Sequence, residues 1–149
     1  MSERLQGHMI GHGMLILCLG LLAGFPLATS LLEGAGHPER WRAAHTGNIT
    51  NGLMLLAAAW CVSRLSLSPG ALRFVGWGLI VSVWGNFVFY LGAALGASGR
   101  GLSFGPNRFG GGDLLSQITF LGPLPGALIA PAALLVLAWA AFKLSRSPA

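Results

Sequence analysis

Residues 72–97, LRFVGWGLIVSVWGNFVFYLGAALGA, contain no Asp, Glu, Lys or Arg after Arg73. An α-helix rises ~1.5 Å per residue and hydrocarbon is ~30 Å thick, so about 20 apolar residues cross a bilayer. The stretch meets that length with a single basic residue at its edge. Read outward from it, the chain holds three more segments of the same kind, about 9–32, 48–65 and 114–144. Four transmembrane helices are expected, in an all-α membrane protein that forms a single membrane domain over residues 1–149.

Composition agrees. Hydrophobic residues make up 54% of the chain and charged ones 9%, against the roughly 25% charged of soluble domains. All nine Lys and Arg and all four Asp and Glu fall at or beyond the ends of the four segments, where the cost of a charge at mid-bilayer, about 2.5 kcal/mol or more, is avoided. The formal charge of +5 is therefore membrane-flank charge. It forms no basic stripe interleaved with aromatics, and nucleic acid is not an expected partner. The first segment follows Arg4 and ends in Ala-Thr-Ser, but it is long for a secretory signal and carries His8 and His12, so a retained span is expected. Arg4, Arg64, Arg73, Lys143 and Arg146 lie with the termini, against Arg40, Arg42, Arg100 and Arg108 on the other side, which leans toward termini inside. Cys18 and Cys61 lie within spans, as packed thiols rather than a disulfide framework.

The connections differ in character. Residues 33–45, EGAGHPERWRAAH, form a short polar loop with an amphipathic turn through Trp41, and SLSPGALR is a tight Pro-Gly turn. Residues 97–113 form a long Gly-rich loop with Phe104, Asn107 and Phe109, the kind of connection that often carries function. Asp113 is placed to cap the last helix, and Pro123, Pro125 and Pro131 predict a bend near its start. Small residues four apart, Gly20 with Gly24 and Gly92 with Gly96, predict close helix contacts.

Polar side chains inside apolar spans carry the functional question. His8 and His12 are four apart on one face, the spacing of a metal pair or of two interfacial histidines with hydrogen-bond partners. At 100° per residue, Asn48 lies about 60° and Asn51 about 120° from His45, so a regular helix does not align the three. Asn86 and Tyr90 share a face of the third span. Two readings stand side by side on spacing alone: these five residues tie helices together, at ~1 kcal/mol per hydrogen bond, or they line a site. One neutral imidazole suits a single axial ligand of haem iron, and without a CxxCH motif any haem would be bound non-covalently.

Four blocks in order, GHGMLILCLGLLAG, PERWRAAHTGNITNGLM, WGNFVFYLG and RGLSFGPNRFGGGDLLS, spread from about Gly11 to Ser116. In them the chain resembles the styrene oxide isomerases. The resemblance implies a four-helix membrane enzyme assembled as a homotrimer, in a bacterial inner membrane, with ferric haem b bound near the subunit interfaces. It places the iron ligand on His45 and the groups that hold and polarise the substrate oxygen on Asn51 and Tyr90. Arg40, Arg42 and Arg100 are candidates for the haem propionates, beside their reading as flank charges. The implied reaction is a Meinwald rearrangement of an apolar aryl epoxide to an aldehyde, styrene oxide to phenylacetaldehyde. Two rival readings are a hydroxylaminobenzene mutase-like isomerase and a non-catalytic membrane haem protein, the second of which requires a further axial ligand that the sequence does not offer.

Overall fold

Ser68 and Pro69 decide where the quoted stretch begins to coil. The Ser68 hydroxyl accepts from the Ala71 backbone N–H at 3.3 Å, and Pro69 enters the first turn, where its missing N–H costs nothing. The resulting helix runs Pro69–Ala94. A computed structural model describes residues 2–34, 37–96 and 114–146, and every regular element in them is helical. In chain order these are α1 (Ser2–Leu22), α2 (Gly24–Glu33), α3 (Pro38–Arg64), α4 (Pro69–Ala94), α5 (Leu114–Leu121) and α6 (Leu124–Ser145).

Two expected spans are broken helices. The break between α5 and α6 falls at Gly122 and Pro123, as the prolines predict: Pro123 and Pro125 lack the N–H that would reach the carbonyls of Thr119 and Leu121. Pro131 lies inside α6, which continues past it. The first segment also divides, at Ala23, which was not expected. Pro26 is the cause available in the sequence, since it cannot donate to the Leu22 carbonyl. Gly34, at φ 62, ends α2 in the left-handed conformation that a Cβ disfavours.

The second segment begins ten residues earlier than expected. Residues 38–45, read as the end of a polar loop, are the first two turns of α3, because Pro38 opens the helix and Glu39 favours its positive end. The expected starts at 9 and 72 shift in the same direction, to Ser2 and Pro69, so that helix extends into the polar flank, whereas α4 ends at Ala94, short of the expected 97.

Three helical rods are long and apolar enough to cross a membrane: Glu3–Glu33, Pro69–Ala94 and Leu114–Ser145. α3 is 27 residues long and lies antiparallel against α1, but polar residues in its first half keep it out of that set. The described part of the long third loop is limited to its last neighbours, so the expectations for Arg100, Phe104, Asn107, Phe109 and Asp113 lie outside the described residues.

Packing is tightest between α1 and α3. A Cβ on Gly52 would meet the Gly13 carbonyl oxygen at 2.7 Å, and one on Gly20 would meet the Ile49 backbone nitrogen at 2.7 Å. Met9 and Ile16 of α1, Leu55 of α3 and Val75, Leu79 and Val83 of α4 are fully buried between them, and α6 closes on α4 through Ala133 and Leu137. The outer surface is apolar instead of charged: Leu32, Phe25, Leu128, Leu135 and Phe142 are all at least 66% exposed. Trp60 and Trp139 stand near the helix ends under Arg64 and Lys143, as interfacial aromatics do. Both features fit an integral membrane protein.

Because the Ile49 nitrogen is backbone and cannot swing away, Gly20→Ala is expected to destabilise the bundle by about 1–3 kcal/mol through overpacking. Thermal unfolding in detergent measures this, and Gly7→Ala, where a Cβ meets nothing within 4 Å, is the matched control.

Candidate active site

α3 carries the candidate site because its first half presents polar side chains at different headings to different neighbours. His45 faces the α1–α2 break. Its Nδ1 lies 2.8 Å from the Gly20 carbonyl oxygen, an atom that can only accept, so the proton sits on Nδ1 and the lone pair of a neutral ring is on Nε2. Gly24 leaves room for this ring: a Cβ there would approach His45 Cε1 and Nδ1 at 3.2 Å. The expected close contact through Gly20 and Gly24 is thus present, and half of it is spent on the histidine. Of the second pair, Gly92 packs against Thr119 of α5, whereas Gly96 meets nothing within 4 Å.

Asn51 faces α4. Asn86 Nδ2 donates to Asn51 Oδ1 at 3.3 Å, which fixes the amide and leaves Asn51 Nδ2 buried with no hydrogen-bond partner among the described residues. A buried donor left unpaired costs about 1–3 kcal/mol. One turn beyond Asn86, the Tyr90 ring lies on Gly47, where a Cβ would come within 2.6 Å of Cε2. Gly47 and Asn51 are one turn apart on α3, as Asn86 and Tyr90 are on α4, so two small polar patches meet face to face.

Asn48 lies between these headings. It is 1% exposed, and its Oδ1 has no partner among the described residues. It borders a cavity of about 240 Å³ walled by Leu19, Leu22 and Pro26 of the α1–α2 rod, Trp41 and Ala44 of α3, and Phe87 and Leu91 of α4.

The structure therefore brings Asn51, Asn86 and Tyr90 together and holds His45 on another side of the same helix. Arg40 donates to the Ala93 carbonyl at 3.4 Å, tying the start of α3 to the end of α4. Arg42 is exposed at the same end, and Arg100 lies outside the described residues. Gly47 is a site-forming position that spacing passed over, and Gly20, expected only as a packing position, also holds His45 through its carbonyl. The only signal for Gly47 was a glycine two residues after the histidine.

His8 and His12 resolve differently. Trp84 Nε1 donates to His12 Nδ1 at 3.1 Å, and the His8 ring lies 5.5 Å from that of Trp77. Among the described residues no three His, Cys, Asp or Glu side chains converge as a metal-ion site. Cys61 is half-buried as expected, but Cys18 is exposed on the outer face.

Helices throughout the described residues, membrane-length apolar rods and a buried polar cluster near one end of the bundle define the class: a small integral membrane protein with a candidate site between its helices. Residues 5–142 match the family described as styrene oxide isomerase. The chain is also similar to the styrene-oxide isomerase of Pseudomonas fluorescens, with 31% identity over 156 residues, covering 96% of this chain and 92% of that one. The chain belongs to the styrene oxide isomerase family, and it is an isomerase.

Proposed function

We propose that the protein converts an apolar aryl epoxide to an aldehyde, styrene oxide to phenylacetaldehyde, using haem b held through His45. The observation that carries this reading is the buried Asn51 Nδ2: a donor fixed by Asn86 and left without an acceptor suits an oxygen that arrives with the substrate.

The residues fit the cofactor. His45 offers one nitrogen with its lone pair while the other is held on a backbone carbonyl, an arrangement that orients a ligating imidazole. Ferric haem, when bound, supplies a Lewis acid for the epoxide oxygen. The chain's own groups do the rest. As the benzylic C–O bond opens, negative charge grows on the oxygen, and donors from Asn51 and Tyr90 stabilise it in a low-dielectric site. The oxygen stays on the terminal carbon, a hydride moves from that carbon to the benzylic one, and the carbonyl forms with no net redox change. Apolar walls keep water from the developing cation and so disfavour a diol.

The 240 Å³ cavity lies below the ~300–1,000 Å³ of drug-sized pockets and is too small for a porphyrin. His45 does not line that cavity, and a porphyrin held through His45 would be enclosed with the help of a neighbouring subunit in a homotrimer. Arg40 and Arg42, at the same end, are candidates for its propionates, with Arg100 a further candidate from the sequence. In this reading α3 is the fourth span of a single membrane domain, its polar first half shielded by α1, α4 and a neighbouring copy, in a bacterial inner membrane.

The test is direct: protein produced with ample haem is given styrene oxide, and phenylacetaldehyde is assayed. Absence of aldehyde rejects the substrate assignment, and absence of a Soret band rejects the cofactor. Tyr90→Phe is expected to retain haem and slow turnover roughly 10²-fold; loss of haem instead makes Tyr90 a structural residue.

A further inference from the structure

At the end of the bundle opposite the candidate site, α1 and α4 begin side by side. Gly76 permits this approach: Leu5 seats against it, and a Cβ there would fall 2.7 Å from Leu5 Cδ2. The approach brings Arg4 of α1 and Arg73 of α4 to one cavity of about 180 Å³, lined also by His8 and Trp77 and floored by the buried Leu5 and Leu72. We propose that this cavity binds a phosphate group, carried by the headgroup of an anionic phospholipid or by free phosphate.

Two guanidinium groups from separate helices suit a phosphate, whose oxygens match the planar fork. Arg4 is the third residue of α1 and Arg73 the fifth of α4, so neither gains from the helix dipole, which favours cations at the other end. An anion between them benefits from both side chains. Glu3 lines a neighbouring cavity with Gln6, Ser63 and Ser66. Around it stand Arg4, Arg64, Arg73, Lys143 and Arg146, an excess of the kind that draws anionic lipids to a membrane surface.

The surface below the cavity continues as a lipid chain would. Phe74, Trp77 and Val81 are 43%, 47% and 46% exposed and run down one side of α4, away from the arginines and into the apolar belt. A headgroup phosphate at Arg4 and Arg73 would lay its acyl chain along them. The cavity is separate from the proposed reaction: Arg73 and Tyr90 are 17 positions apart on one helix, about 25 Å.

Native mass spectrometry of the purified protein tests this with dioleoylphosphatidylglycerol and dioleoylphosphatidylcholine. The anionic lipid is expected to be retained in preference to the zwitterionic one. Arg4→Gln and Arg73→Gln, both at exposed positions, are each expected to weaken that retention about fivefold and together about 25-fold, from the typical effect of one basic residue at an anionic surface. Arg64→Gln, at the same end but outside the cavity, is expected to leave it unchanged. Inorganic phosphate that displaces the lipid identifies the free anion as sufficient; failure to displace it shows that the lipid is required. Retention that survives the double substitution, or that falls equally with Arg64→Gln, overturns the site in favour of a diffuse surface charge.

Discussion

His45→Ala is expected to remove the Soret absorption from protein produced with ample haem and to reduce styrene oxide isomerisation to background. His45 Nδ1 is held at 2.8 Å by the Gly20 carbonyl, so Nε2 is the nitrogen left to ligate. The ring is only half-buried, and alanine leaves no unpaired charge, so the helical fold should survive. Circular dichroism and melting temperature separate loss of ligand from loss of fold. A Soret band and wild-type turnover in His45→Ala would reject the assigned ligand. A haem-free protein that still makes phenylacetaldehyde would reject the cofactor while leaving the substrate assignment intact.

Asn51→Ala carries the second large effect, a fall in turnover of about 10²–10³ with haem retained, the range observed when one donor to a developing oxyanion is removed. Asn51 Nδ2 has no partner among the described residues, so its deletion breaks no hydrogen bond there on that side. The cost to stability comes through Asn86, which loses its acceptor at 3.3 Å, a modest loss of ~1 kcal/mol. Asn51→Asp separates these roles: it keeps the acceptor for Asn86 and removes the donor. Turnover that falls in Asn51→Asp as far as in Asn51→Ala assigns the effect to the donor. Turnover preserved in Asn51→Asp would make Asn51 a helix tie and remove it from the chemistry.

Helix content and the apolar spans were legible because both are additive along the chain. Each residue of 72–97 contributes its own transfer energy, and a helix in hydrocarbon satisfies its backbone within the segment. The proline break at Gly122 and Pro123 was legible for the same local reason. The boundaries were less so: hydropathy ends where the bilayer would end, whereas α3 already covers Pro38–His45 because backbone preference, with proline at the first position, and not apolarity decides where a helix starts. The break at Ala23 had its signal in Pro26, three residues beyond it, and was masked by the length of the apolar run.

The site was legible as a list and not as an arrangement. His45, Asn51 and Tyr90 stand out in the sequence as polar groups within apolar helices, and the family blocks attach roles to them. What those side chains touch depends on how α1, α3 and α4 cross, and that is decided by Gly13, Gly20, Gly47 and Gly52, where backbone meets backbone or an aromatic ring. Helix periodicity places His45 and Asn51 about 120° apart but cannot say which neighbour each will meet. Only the packed structure puts the proton of His45 on Nδ1, leaves a donor of Asn51 unpaired, and draws Arg4 and Arg73, 69 positions apart in the chain, to one cavity. Hydropathy is a property of each residue in turn, whereas partnership is a property of two surfaces and exists only once the helices have packed.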